Sequence, residues 1–438
     1  MLSAADNELL CRVGPGTIMG DFMRQYWMPA VRSDELPSPD CPPVRIRLLG
    51  ENLIAFRTTS GAVGLMQNSC PHRGASMFFG RNEEEGLRCV YHGWKFDTTG
   101  ACVDMPSEPA ESNFRTKVHA TAYRCHERNG IIWAYMGPRE VAPPLPDIEA
   151  NLLCEGPHQI SVLHRPCNWM QGWEGEMDTV HAAFLHGGAD NPEDHEKGSF
   201  NYYQYRIRAG KFTVVDTDFG TSSGVYRPAE DDTYYWRVTH ILFPFYNMIP
   251  IGPLGSGVRI GMYVPMDDEN HMHWEIFIRN PGDTFPPRQP GQATVPGSHP
   301  IANGTGWLER FRVEETLAND YLIDREAQRT WKSYTGIKSV RLQDCAVTET
   351  MGVIYDRSHE HLGTTDQLII RTRRKMIAAA KALREEGVVP PGIDNPEVYK
   401  QRSGEIVLPR SVDWWQAYQG IRERFLASPE LVSTQTTT

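Results

Sequence analysis

Cys70-Pro71-His72-Arg73-Gly74-Ala75 and Cys89-Val90-Tyr91-His92-Gly93-Trp94 are two short segments of one design, with sixteen residues between His72 and Cys89. Each offers one thiolate and one imidazole. Gly74 and Gly93 follow the ligand positions, where unusual φ/ψ values turn a backbone around a metal. Such a loop also aims successive N–H groups inward, toward anionic sulfur. Two Cys and two His suit either a single tetrahedral zinc or a binuclear iron–sulfur cluster in which two histidines replace two cysteines on one iron. Cys-x-His is uncommon as a zinc knuckle, which favours the cluster.

Working outward, Val44–Leu49, Leu53–Thr58 and Gly61–Leu65 are short β-type runs separated by Gly-Glu-Asn and Ser-Gly turns, and the pattern resumes at Tyr123 and Gly130–Gly137. This is an antiparallel meander that stops at Pro138, Pro143, Pro144 and Pro146. The pair of loops on this meander resembles the Rieske [2Fe–2S] pattern. It lacks the extra cysteines of the respiratory type, whose places are held by Ala75 and Tyr91.

Beyond the prolines, a helix-like segment runs from Trp169 to Leu185, with strands expected over Tyr202–Thr217, Tyr234–Asn247, Arg259–Pro265 and His273–Arg279. Pro281–Pro300 holds six prolines in twenty residues and reads as a long irregular loop. Helices are expected at Trp307–Glu315, Arg341–Gly352 and Gln367–Glu386, the last a basic amphipathic helix ended by Gly387 and Pro390. The basic face of that last helix reads as solvated.

Asp178 and His181 are three apart and share a helix face. His181 and His186 are five apart, about 140° out of line on a regular helix, so a bulge near the helix end is needed to converge them. Two His and one carboxylate form the facial triad of non-haem Fe(II) oxygenases. Candidates for the carboxylate are Asp344 in Gln343–Thr350, Glu349, Asp356, Glu360 and Asp366.

Cys-Pro-His-Arg-Gly-Ala, Tyr-His-Gly-Trp-Lys-Phe-Asp, Asp-x2-His-x4-His and Gln-Asp-x4-Glu together resemble the oxygenase (alpha) component of Rieske non-haem iron aromatic-ring oxygenases, in the phthalate dioxygenase-like group. The resemblance runs from Gly20 to the Trp414-Trp415 region and includes Asp356–Asp366. It implies an α+β chain: an N-terminal segment (1–39) packing on the body, a small antiparallel β Rieske domain (40–142), and a helix-grip, START-like catalytic domain with a curved antiparallel sheet (143–438). It implies Cys70 and Cys89 on one cluster iron, His72 and His92 on the other, and His181, His186 and Asp344 on a mononuclear iron. It further implies that Asp178 bridges His181 to His92 of the partner subunit in a head-to-tail trimer or stacked trimers, and it places Asn168 near the iron. His359 and His361 read as surface or packing residues.

The implied activity is hydroxylation of an aromatic compound with O2, by dihydroxylation of an aromatic carboxylate, with NADH supplying electrons through a flavin/iron–sulfur reductase. Relatives of this kind also act as monooxygenases or cleave aryl ethers. A competing class, a Rieske electron-transfer protein, needs only about 100 residues and leaves roughly 300 unexplained. Arg206, Arg208 and Arg237, in predicted strands near Tyr203, Tyr205 and Trp236, are candidates for a substrate carboxylate.

A net charge of −11 removes the basic field that nucleic acid or an anionic membrane requires. No apolar run reaches the ~18–20 residues of a membrane span; Met376–Leu383 is flanked by Arg373, Arg374 and Arg384. Gly14-Pro15-Gly16-Thr17-Ile18-Met19-Gly20 has the wrong spacing and no preceding strand for a dinucleotide site. Nine cysteines at irregular spacing, with no export signal, lead to the expectation of reduced thiols in the cytoplasm. Cys11, Cys41, Cys102, Cys125, Cys154, Cys167 and Cys345 receive no role.

Overall fold

A computed structural model describes residues 2–152, 158–278 and 291–427. The first half of Pro281–Pro300, the tail Ser433–Thr438 and Cys154 lie outside these. The meander is present: Trp27–Arg32, Ile131–Tyr135, Ala122–Arg128, Val63–Gln67, Glu51–Arg57 and Val44–Leu48 lie side by side in one antiparallel sheet. Its edge strand Trp27–Arg32 comes from the N-terminal segment, which thereby enters the sheet. In a second sheet of four short strands, Arg81–Glu83, Gly86–Arg88, Lys95–Phe96 and Cys102–Asp104, the middle pair carries the loop Cys89–Trp94, while the loop Cys70–Ala75 lies in the connection from Val63–Gln67 to Arg81–Glu83. Ile54, Phe56, Met77, Leu87, Trp94 and Phe96 form a small core of their own beneath those loops.

The third sheet orders His158–Arg165, His271–Ile278, Val258–Pro265, Tyr246–Met248, Thr233–Leu242, Gly220–Pro228 and Lys211–Asp216. The ten-residue strand Thr233–Leu242 divides one edge between two partners. Its end pairs with Tyr246–Met248 and its start with Gly404–Pro409. The expected strand Tyr234–Asn247 is therefore two strands, parted at Phe243-Pro244 because proline has no N–H for the ladder. The helix Gln367–Glu386 packs along Gly220–Pro228, burying Leu368, Thr372, Met376 and Ala380. It stops at Gly387 in the left-handed conformation (φ 69°). The main core runs continuously from the N-terminal helices through Trp133 to Trp169, Trp173 and Trp274, so the two larger sheets share one interior.

Two expectations are corrected. Tyr202–Thr217 is not one strand: Phe200–Arg206 is a helix capped by Ser199, and the strand begins at Lys211. Its aromatic run favours strand by propensity, but Tyr203 stacks on Tyr235 of the sheet, centroids 4.8 Å apart, and that packing decides. Trp307–Glu315 is irregular, not helical. Phe311 has φ 53°, and long-range ties hold the segment, with Arg310 Nε donating to Glu35 Oε1 at 2.7 Å and His164 N to Phe311 O at 2.9 Å.

Candidate metal centres

The two Cys/His loops superimpose in their bonding. Cys70 N donates to Ala75 O (2.8 Å) and Gly74 N to Cys70 O (2.9 Å); Cys89 N donates to Trp94 O (2.8 Å) and Gly93 N to Cys89 O (2.9 Å). Gly74 and Gly93 have φ of 76° and 77°, the left-handed turn that other residues resist. Arg88 braces the second loop, donating to Gly93 O at 2.6 Å and Asp104 Oδ2 at 2.7 Å. Both thiols are buried and both imidazoles reach the surface. His72 Nδ1 and His92 Nδ1 lie 3.1 Å apart, the separation of two nitrogens about 2.1 Å from one metal. Trp94 stacks on His72 at 4.3 Å. Among the described residues these four ligands do not crowd within 4.8 Å as three or more, as a single tetrahedral ion demands. The donor set fits a binuclear cluster and not one zinc.

One group does meet that criterion: His181, His186 and Asp344. Its helix begins at Asn168, whose Oδ1 accepts Met170 N at 3.1 Å, and runs only to Met177. Gly172 lets it approach the sheet, since a Cβ there would lie 2.8 Å from the His271 ring. At Asp178 the chain leaves the helix, and Asp178 Oδ1 accepts Val180 N (2.8 Å) and His181 N (3.2 Å) to start a new turn. That turn, Ala182–His186, is a π-helix. Its extra residue supplies the bulge that five-residue spacing requires and brings His181 Nε2 and His186 Nε2 to 3.2 Å.

From the helix Val340–Glu349, Asp344 Oδ1 completes the triangle, 3.1 Å from His186 Nε2 and 3.6 Å from His181 Nε2. His181 Nδ1–H donates to Asp178 O, and His186 Nδ1–H donates to Gln343 Oε1 at 2.7 Å. Gln343 is itself held by donating to Ile337 O at 2.7 Å. Both Nδ1 donors being used, both Nε2 lone pairs face inward with a carboxylate oxygen. Three acceptors converge with no donor between them, which calls for a cation.

Behind them is a buried charge network. Arg341 Nη1 donates to Glu176 Oε1 (2.8 Å) and Nη2 to Glu275 Oε2 (3.0 Å), leaving Nη1 3.7 Å from Asp344 Oδ2. Tyr263 OH also donates to Glu176 Oε1, at 2.8 Å. Burial alone would raise Glu176, but Arg341 and Arg259 bring it down to about 2. Asp344 behaves alike: burial opposes ionisation, yet His186, His181 and Arg341 hold it below the usual carboxylate range. Replacing Gln343 with Leu frees the His186 ring. We expect its metal to be lost at about 10–100-fold lower chelator concentration, measured by dialysis and metal analysis with the Cys/His centre unchanged.

The cavity in front of the triangle encloses about 200 Å³ and is lined by Asp178, Phe200, Gln204, Tyr205, Arg237 and Thr239. A wider depression of about 900 Å³ lies along Tyr123–Glu127 and contains neither ligand set. Of the expected substrate residues only Arg237 reaches the ligand cavity. Arg206, at a helix end, is exposed and reaches Tyr202 OH at 3.3 Å. Arg208 donates to the carbonyls of Ala183, Gly187 (3.2 Å) and Asp190 (3.2 Å), satisfying the backbone of the π-helical turn. Asn168 is fully buried, its Nδ2 donating to Cys11 O (2.9 Å) and Asp268 O (2.7 Å), so it caps a helix and does not line the cavity. The rival carboxylates Glu349 and Glu360 are bound to Arg165 and Arg373, and Asp356 to Ser358. Asp366 accepts the N–H of Gly363.

Comparison with known proteins adds three findings. Residues 26–126 match the Rieske [2Fe-2S] domain family, and residues 134–437 match the family described as LigXa C-terminal domain like. The chain is 43% identical to the 3-chlorobenzoate-3,4-dioxygenase oxygenase subunit of Comamonas testosteroni, over 96% of this chain and 98% of that one. It is 36% identical to the phthalate 4,5-dioxygenase oxygenase subunit of Pseudomonas putida, over 94% of each. In fold it resembles the crystal structure of dicamba monooxygenase bound to 3,6-dichlorosalicylic acid, with a TM-score of 0.56 at 18% identity, covering 84% of this chain and 100% of that one.

Proposed function

Because the chain belongs to the Rieske non-haem iron oxygenases, as an oxygenase component of the phthalate dioxygenase-like group, we propose that it dihydroxylates a small aromatic carboxylate held by Arg237. It is an oxidoreductase that incorporates oxygen from O2, contains a Rieske [2Fe–2S] cluster and a mononuclear iron, and works in a multicomponent system that supplies its electrons. In this reading Cys70, Cys89, His72 and His92 hold the cluster, and His181, His186 and Asp344 hold the mononuclear iron. When bound, the cluster supplies single electrons and the iron supplies O2 activation.

The residues of the chain set up the rest. Asp178 and Gln343 fix the tautomers of the two iron histidines. Arg341 and the π-helical turn hold Asp344 and His186 in place. The observation that carries the reading is the convergence of His181, His186 and Asp344 within 3.6 Å in a chain that also has the Cys/His loops. Arg237 supports the carboxylate class, being a buried guanidinium on the cavity wall. The two relatives named above act on 3-chlorobenzoate and phthalate.

Three finer points belong to the same reading. A flavin/iron–sulfur reductase oxidising NADH delivers the electrons. The oxygenase is a head-to-tail trimer in which Asp178 meets His92 of the partner subunit. Exposed apolar side chains beside each centre support this: Tyr91 (54%) and Val90 (57%) next to His92, and Val340 (56%) on the wall of the cavity at the second. The segments 40–142 and 143–438 form the two functional units. No helix among the described residues is long and apolar enough to cross a membrane, and the free cysteines support a cytoplasmic setting.

Turnover of 3-chlorobenzoate and phthalate under 18O2 tests the reaction. Two labelled oxygens in the product are expected, and one would mean monooxygenation. Arg237→Gln should raise KM for these carboxylates about 10–100-fold, the worth of hydrogen bonds to a charged group, with little change for uncharged aromatics. Equal KM values would remove the carboxylate assignment.

A further inference from the structure

Arg237 is a buried cation with neutral partners. Nη1 donates to Gln204 Oε1 at 2.6 Å and Nη2 to Pro250 O at 3.4 Å, while Nε has no partner. Its carboxylate neighbour stands directly across the β ladder. Glu405, on Gly404–Pro409, is paired with Arg237 in register, and opposed residues of an antiparallel pair project to the same face. Glu405 is 8% exposed; its backbone bonds to Gly252 O and from Leu254 N, and the Tyr235 hydroxyl is the hydrogen-bond neighbour of its carboxyl. Two buried groups of opposite charge thus adjoin without forming an ion pair, Arg237 on the wall of the cavity and Glu405 behind it.

The other charged and titratable groups around the pair are few. Tyr235 shares the strand of Arg237, and Arg227 opposes Tyr235 on the neighbouring strand, where it donates to Ile207 O and Arg208 O. The helix Phe200–Arg206 brings Tyr203, bonded to Glu230, and Tyr205. The segment Pro250–Leu254 contributes backbone. On the opposite face of the sheet Trp236 stacks on Trp414.

We propose that Glu405 is the countercharge of Arg237 before substrate binds and takes up one proton when an anionic substrate occupies Arg237, so that carboxylate binding is coupled to protonation of Glu405. This rests on the assignment of Arg237 as the carboxylate site. The balance is simple: one anion enters, one proton comes from solvent, and the buried region keeps its net charge. Burial pushes Glu405 up to about 7, against Arg237 and the Tyr235 hydroxyl, which both hold it down. An anion on Arg237 cancels that help and raises Glu405 further. The bound form therefore holds the proton more tightly. Affinity is complete below about 7 and weakens as pH rises above it, by up to about tenfold per unit.

Benzoate is the probe, titrated calorimetrically into the holoenzyme in buffers of different ionisation heat. Proton uptake should be near zero at pH 6 and approach one per benzoate at pH 8. Glu405→Gln should take up none, and should bind benzoate at pH 8 as tightly as wild type does at pH 6. Benzamide, uncharged, should bind wild type without pH dependence. Absence of proton uptake by wild type at pH 8, or the same uptake in Glu405→Gln, overturns the proposal. If Glu405→Gln does not yield holoenzyme with its visible absorption, the wild-type proton count decides alone. Benzoate binding that depends on Arg237 but not on pH refutes the coupling only. Benzoate binding unchanged in Arg237→Gln refutes the carboxylate site itself and the coupling with it.

Discussion

Asp344→Ala should reduce the iron of the purified protein from about three to about two atoms per chain and abolish product formation, while the visible spectrum of the cluster is unchanged. Two irons belong to the cluster and one to the site of His181, His186 and Asp344. Asp344 Oδ1 is the sole carboxylate oxygen at that triangle, 3.1 Å from His186 Nε2 and 3.6 Å from His181 Nε2, and removing it leaves two neutral imidazoles for a dication. Arg341 stays paired to Glu176 and Glu275 in the variant, so its charge then faces the vacated position and disfavours a metal there. The four proposed cluster ligands stand over a core of their own, apart from the turn Ala182–His186 and the helix Val340–Glu349 that carry the triangle, which is why their spectrum should not respond. Full iron content in Asp344→Ala would show that another group holds the metal.

Asp178→Asn should keep all the iron and still lose turnover on the order of 100-fold, the upper end for removing the carboxylate partner of a metal-ligating histidine; the bond that orients His181 is to the Asp178 backbone carbonyl and stays. Asn retains the Oδ1 that caps the new turn at Val180 and His181, so the local fold survives. What it loses is the charge of Oδ2, 3.9 Å from His181 Nδ1 and part-exposed at the surface. That charge is what attracts an imidazole N–H of the partner subunit in the proposed trimer. Iron analysis separates this variant from Asp344→Ala, and single-turnover kinetics show whether electron delivery is the slowed step. Unchanged kinetics would leave Asp178 with a capping role only.

The ligands were legible in proportion to how local their chemistry is. Cys70, His72, Cys89 and His92 stand out because each pair lies within four residues and its glycine marks the turn. His181 and His186 require an insertion in the helix, which the five-residue spacing demands and the π-helical turn provides. Asp344 lies 158 residues beyond His186, and only the resemblance singles it out from four rival carboxylates. Gln343, Arg341 and Glu176 were missed, though Glu174 and Glu176 within the apolar run Trp169–Met177 are themselves a signal of buried, paired charge. Arg208 and Asn168 were misplaced because composition does not distinguish a side chain that binds backbone carbonyls from one that faces a ligand. The same helix geometry explains both outcomes. The turn that joins the two histidines opens its carbonyls, and Arg208 closes them.

A single turnover tests the central claim most directly. The protein is reduced chemically, freed of reductant, and exposed to O2 with 3-chlorobenzoate or phthalate and no other protein. Hydroxylated product in stoichiometric proportion to the mononuclear iron, with loss of the reduced cluster's paramagnetic signal, is the predicted result. Loss of that signal with no product from either carboxylate would contradict the assignment and leave the chain a carrier of electrons.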